Sequence, residues 1–166
     1  NWRHELQNKY TNPLFEVPVP TMNFGCIHGG DNPNRICGAC ELQIDVRPVP
    51  GMDIHELQQI LRERVQPIAA RHQVKAEVLS LFPGIPPFET PADSEIVKMA
   101  ERLTGHSAEA VGFGTEASFL NDLGMETIVL GPGNIEQAHQ PDEYVEMDRI
   151  KPTLALLENL IKKLCL

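Results

Sequence analysis

The stretch CELQIDV, residues 40–46, alternates strictly: Cys40, Leu42, Ile44 and Val46 interleave with Glu41, Gln43 and Asp45. A period of two marks a strand with one buried and one wet face. The period then changes. From residue 53, Ile54, Leu57, Ile60, Leu61, Val65 and Ile68 recur at helical spacing, so one face of a helix is apolar. Asp53 is a good N-cap, and Glu56 three residues on completes a capping-box pattern. Pro67 inside this run predicts a kink or an early end.

Flanking segments extend the pattern. TMNFGCIH (21–28) alternates and predicts a strand with Met22, Phe24, Cys26 and His28 on one face. GGDNPNRICG (29–38) is dense in turn residues and predicts a wide connection to a second strand over 39–47. VKAEVLSLF (74–82) predicts a third strand, and residues 1–10 read as the end of a helix. Helix, strand, strand, helix, strand is the latter part of a β-α-β-β-α-β, ferredoxin-like unit whose first strand is absent.

PGIPPFETPAD (83–93) is Pro-rich and predicts a domain boundary. Beyond it the pattern is α/β. A helix over 94–104 is stopped by Gly105, and SAEAVGF is a short strand. TEASFLNDLG is a short helix with Thr115 as N-cap and Gly124 as stop, and METIVLGPG is a buried strand. A last helix follows, capped by Asp148 with Pro152 in its first turns, and Ile150, Leu154, Leu157, Leu160, Ile161 and Leu164 form its apolar face. Two strands are too few for a complete sheet.

Composition excludes some functions. A net charge of −9 with no run of Lys or Arg argues against nucleic acid as a partner. No apolar stretch is long enough to span a bilayer. NWRHELQNKYTNPLFEV has neither a signal pattern nor an initiator Met, so the expectation is a chain that begins inside a longer protein, in the cytoplasm. Four cysteines (Cys26, Cys37, Cys40, Cys165) are then expected as reduced thiols. CGAC at 37–40 invites a zinc or redox reading. If the strand reaches back to Cys37, however, its two thiols point to opposite faces, so they are expected to be inert.

The residues with most chemical interest follow Ile128–Val129–Leu130. Gly131–Pro132–Gly133 opens a loop past a strand end, where α/β proteins place chemistry, and the loop carries His139 and then Asp142, Glu143 and Glu146. Alone, His139 reads first as an ordinary loop histidine and only second as a ligand. His28 reads as packed, and His4, His55, His72 and His106 have no ligand spacing.

GGDNPNRICGACELQIDVRPVPG, GFGTEASFL and LGPGNIEQAHQPDEYV, in that order, resemble the dinuclear-zinc aminoacylase/carboxypeptidase family over essentially all 166 residues. The resemblance implies a ferredoxin-like lid or dimerisation domain over about 1–86, incomplete at its start. It also implies the C-terminal part of a zinc-peptidase-like α/β catalytic domain over about 87–166. It implies a hydrolase that cleaves a linear amide, N-acetyl-L-ornithine above all, by water activated on two zinc ions, with cobalt as a substitute. A homodimer through the lid is implied, with a small-molecule N-acyl amino acid as substrate and neither nucleic acid nor membrane as partner.

Residue by residue, the resemblance makes His139 a metal ligand. It makes Asn34 and Arg47 holders of the substrate carboxylate or the oxyanion, a task that suits the bidentate fork of Arg. Thr115, Glu116, Gly131 and Gly133 would line the substrate pocket, with Glu116 meeting a substrate ammonium. Asp142 and Glu143 are candidates for orienting the His139 imidazole. The general base and the other metal ligands are expected upstream of Asn1, so no catalytic residue is expected in this chain and the chain alone is expected to be inactive. Plainer readings stand beside these: an Arg47–Asp45 surface ion pair, Thr115 and Glu116 as simple caps, and plain tight turns at the glycines. Rival assignments are a succinyl-diaminopimelate desuccinylase or a carboxypeptidase of the same family, a stand-alone ferredoxin-like dimerisation module, and a small metal carrier using CGAC and His139.

Overall fold

In the computed structural model, which describes residues 1–165, two compact units divide the chain. One comprises Asn1–Phe88 with Ala110–Thr115. The other comprises Glu89–Glu109 with Glu116 onward. The architecture is mixed α/β, and no helix among the described residues is long and apolar enough to cross a membrane.

The first unit runs α1 (Trp2–Lys9), β1 (Thr21–Gly29), β2 (Cys40–Arg47) and α2 (Ile54–Arg71), in the expected order. Asn1 caps α1 by accepting from the Arg3 N–H. Asp53 caps α2, its carboxylate accepting from the His55 and Glu56 N–H groups at 2.7 and 2.9 Å. Pro67 does not end α2, which continues to Arg71. Leu6, Val49, Met52 and Leu57 form the core, with Trp2, Tyr10, Met22 and Val46 packed against it. The Arg64 guanidinium joins the two helices, pairing with Glu5 and lying 5.7 Å from the centre of the Trp2 ring.

β1 and β2 are antiparallel, and a bulge at Gly25 interrupts the register between Phe24 and Cys26. A bulge adds one residue to one strand, and one residue reverses the facing of everything after it. Met22, Phe24 and then Ile27 therefore pair with Val46, Ile44 and Leu42. Cys26 and His28 pair with Gln43 and Glu41, on the polar face. The expectation of His28 packed beside Met22 and Phe24 is thus corrected.

Among the described residues the ladder β1–β2 is the only sheet. The segments 74–82, 107–113 and 125–133, expected as strands, join no ladder, and side chains meet some of their backbone groups. Gln66 of α2 donates to the Ala76 carbonyl at 3.2 Å, and Gln58 lies 3.2 Å from the Ser80 hydroxyl, so 74–82 runs back along the helix. The Ala108 N–H donates to the Glu101 carboxylate at 2.9 Å. Thr90 Oγ1 donates to the Thr127 carbonyl and accepts from the Thr127 N–H. An alternating segment becomes a strand only with a neighbour to hydrogen-bond.

The second unit contains α3 (Glu95–Thr104), α4 (Ala117–Asp122), a short 3₁₀ turn at Ile135–Gln137, and α5 (Met147–Leu164). Ser94 caps α3, and Gly105 ends it in the left-handed conformation at φ 74°, where a side chain is penalised. Two expected caps shift by one or two residues. Glu116, not Thr115, precedes α4, and Glu146, not Asp148, precedes α5. Asp148 lies in the first turn of α5, where a negative charge still favours the helix. α3 packs on α5, and Val97, Met99, Ala100, Ala117 and Leu160 are buried.

Candidate functional site

In the first unit the hairpin sorts its polar side chains onto one face. Asn23, Cys26 and His28 of β1 stand opposite Asp45, Gln43 and Glu41 of β2, and Arg47 stands opposite Thr21. Cys26 Sγ and His28 Nε2 are 2.9 Å apart. Gln43 Nε2 donates to Glu41 at 2.7 Å. Arg47 Nε donates to Asp45 at 3.1 Å, and both side chains are more than half exposed. A pair this wet contributes little stability, so the arginine is held loosely and keeps donors to offer.

Asn34 is exposed on the connection beyond the Gly29–Cys40 end of the ladder, whereas Arg47 ends β2 at the other. The Asn34 N–H donates to Asn32 Oδ1 at 3.2 Å, and Arg35 pairs with Asp31 at 3.1 Å, so the connection is knit by its own polar side chains. Thr115 is half-buried. It follows Gly114, where an added Cβ would come within 2.8 Å of Ile85 Cδ1. A side chain there would push the tip of Ile85 aside, and the φ of Gly114 is not unusual.

In the second unit Glu116 is exposed at the start of α4, and its carbonyl accepts from the Phe119 N–H at 3.1 Å. Ser118, the second residue of α4, is almost fully buried at 1% exposure. Gly131 and Gly133 have open space where a Cβ would be, and neither has positive φ. Nothing in their own conformation demands glycine.

The segment 134–143 is a chain of turns. Asn134 caps the 3₁₀ turn, the Gln140 N–H donates to the Gln137 carbonyl at 3.3 Å, and the Glu143 N–H donates to the Gln140 carbonyl at 3.2 Å. His139 and Asp142 both sit at φ 61°, a left-handed conformation uncommon for residues with a side chain. The His139 N–H donates to Glu143 Oε2 at 3.2 Å. Glu143 thus grips the backbone of the histidine, not the imidazole it was expected to orient. His139 is exposed.

Among the described residues no group of three or more His, Cys, Asp or Glu side chains is placed to hold a metal ion. The donors present fit a single imidazole ligand, not a closed site, since zinc takes three or four protein ligands. Shallow, open grooves lie along α2, around Gln66 and Ala70.

Sequence reasoning missed the placing of Cys26 and His28 on the polar face. The signal was there: a glycine inside a strand pattern marks a bulge. The burial of Ser118 has no comparable sequence signal.

The first unit is a hairpin flanked by two helices over a small core, and it can be compared with known proteins. Residues 2–73 match the peptidase dimerisation domain. Nearly the whole chain is similar to acetylornithine deacetylases. It is 50% identical to that of Edwardsiella ictaluri over 98% of this chain and 42% of the relative. It is 47% identical to that of Pectobacterium carotovorum over 98% and 42%, and 47% identical to that of Proteus mirabilis over 99% and 42%. The chain therefore spans about 42% of the length of these relatives. In fold it is similar to an M20 family metallo-carboxypeptidase, Sso-CP2 from Sulfolobus solfataricus, with a TM-score of 0.65 and 18% identity, covering 98% of this chain and 44% of that one.

Proposed function

We propose that this chain is part of a metal-dependent amidohydrolase that cleaves N-acetyl-L-ornithine to L-ornithine and acetate. The observation that carries the reading is the 50% identity to an acetylornithine deacetylase over 98% of the chain. Residues 1–86 would serve as lid and dimerisation domain, and residues 87–166 as the C-terminal segment of the catalytic domain. The protein would act as a cytoplasmic homodimer in arginine biosynthesis.

Each residue has a role suited to its chemistry. His139 would supply one imidazole to a zinc site whose remaining ligands lie outside these residues. The ions, once bound, lower the pKa of water and polarise the amide carbonyl. Arg47 and Asn34 would hold the substrate carboxylate or the oxyanion, the guanidinium by a bidentate pair. Glu116 would meet the ornithine ammonium. Thr115 would line the pocket with Gly131 and Gly133, whose bare Cα atoms let backbone N–H groups come close to a ligand. No general base is assigned within the chain, and the 166 residues alone are expected to be inactive.

The test is ornithine release from N-acetylornithine, with added zinc, by the intact protein that carries this chain. His139→Ala should abolish turnover and weaken zinc binding. Arg47→Ala should lower kcat/KM by about tenfold to a hundredfold, the worth of a charge-assisted hydrogen bond. Arg47→Lys should recover only part, because an ammonium cannot make the forked contact. Turnover of succinyl-diaminopimelate or a peptide instead of N-acetylornithine would keep the chemistry and move the substrate. Absence of all hydrolysis would leave a dimerisation module.

A further inference from the structure

The argument for inert cysteines at 37 and 40 rests on a strand that reaches Cys37. It does not: β2 begins at Cys40, and Cys37 belongs to the connection before it. The alternation that would send the two thiols to opposite faces therefore does not apply. Both are free and exposed.

Each sulfur borders a glycine at the end of β1. Cys37 Sγ turns back over the link and donates to the Ala39 carbonyl at 3.0 Å. Cys40 Sγ lies 3.2 Å from the point a Cβ on Gly29 would occupy, and Cys37 Sγ lies 3.9 Å from the same point on Gly30. Cys40 Sγ thus borders Gly29 and Cys37 Sγ borders Gly30, and the absence of side chains at both glycines leaves each thiol room. The Gly30 N–H donates to that same Ala39 carbonyl at 3.3 Å, which anchors the link from below. Gly38 has nothing within 4 Å of where its Cβ would be, so the link between the cysteines can adjust to the geometry a disulfide demands.

We propose that Cys37 and Cys40 are a redox-active dithiol, a modification site that exchanges with small-molecule disulfides of the glutathione class. One thiolate attacks the S–S bond of oxidised glutathione and forms a mixed disulfide, releasing one glutathione thiolate. The second protein thiolate attacks the mixed disulfide at the protein sulfur, closes the Cys37–Cys40 bond and releases the second glutathione. The protein loses two electrons and two protons, and the small disulfide gains them. The closed ring is short, so the bond adds little stability and reopens readily under excess reduced glutathione. The proposal stands independently of the hydrolase reading.

The experiment uses the reduced 166-residue chain in defined mixtures of reduced and oxidised glutathione. Samples are acid-quenched, then read by intact mass and peptide mapping. The expected product is lighter by two hydrogen atoms, with Cys37 and Cys40 cross-linked, and excess reduced glutathione restores the starting mass. Cys37→Ser and Cys40→Ser should each lose the cross-link completely and stop at a single glutathione adduct on the remaining cysteine of the pair. Cys26→Ser should leave the cross-link unchanged. Stable glutathione adducts on both Cys37 and Cys40 without a cross-link would overturn the proposal. So would modification confined to Cys26, or a cross-link that forms only in urea.

Discussion

The hairpin at residues 21–47 and the run at 125–146 carry the same kind of sequence signal and end differently. Each begins with an apolar-rich segment that predicts a strand, and each leads into a glycine-containing loop with chemically interesting side chains. In the hairpin the segment finds a partner, the ladder forms, and its register decides which side chains share a face. At 125–133 no ladder forms. The backbone of Thr127 is met by the side chain of Thr90, and the loop beyond is a succession of tight turns closed by the Glu143–His139 contact. Alternation reports what a segment could bury. Pairing depends on what lies alongside it.

Large-to-small substitution in the core behind the hairpin should have the greatest effect. Leu57→Ala removes a buried side chain from a cluster of only four buried residues and should cost about 2–3 kcal/mol, the low end for such changes because a small core can relax. Urea unfolding followed by circular dichroism would measure it. A negligible change would mean that the cluster does not hold α1, α2 and the sheet together.

The 125–133 run should be more sensitive to one hydroxyl than to any apolar residue in it. Thr90→Val keeps the shape but removes the group that serves both backbone polar atoms of Thr127, at a cost of about 1–2 kcal/mol. Amide exchange at Thr127 should accelerate while exchange in β1 and β2 stays as it was. If Thr127 exchanges no faster, something other than Thr90 holds this run and the contrast with the hairpin weakens. A smaller effect, about 1 kcal/mol, is expected for Ser94→Ala, which removes the side-chain cap of α3.

These contrasts explain what was readable in the sequence. Periodicity located α1, β1, β2, α2, α3, α4 and α5 because each signal is contained within the element itself. Gly105 as a helix stop was readable for the same reason. The facing of Cys26 and His28 was misread because one extra residue at Gly25 reverses parity, and the pattern TMNFGCIH satisfies two registers equally well. The third, fourth and fifth expected strands were misread because their partners are non-local. At the candidate site, Arg47 could be placed on the polar face from the pattern of β2 alone. The grip of Glu143 on the His139 backbone could not, because it depends on two residues at φ 61° that no spacing rule foresees.

The smallest expected effect concerns acid. The Asp53 carboxylate is held below the usual aspartate range, first by the Glu56 N–H and then by the His55 N–H. A depressed folded pKa means that the folded chain binds fewer protons than the unfolded one. The stabilisation is therefore complete above the ordinary aspartate value of about 3.9 and is lost as pH falls through the lower folded value. Glu5, lowered chiefly by its hydrogen bond to Arg64, contributes with the same sign, so wild type alone cannot separate the two. Asp53→Asn does separate them, because Asn caps a helix about as well but does not titrate in this range. Unfolding midpoints should fall more steeply with acid in wild type than in Asp53→Asn, and the gap should open only below about pH 4. Parallel curves would mean that the cap of α2 contributes through its neutral hydrogen bonds, with no part played by its charge.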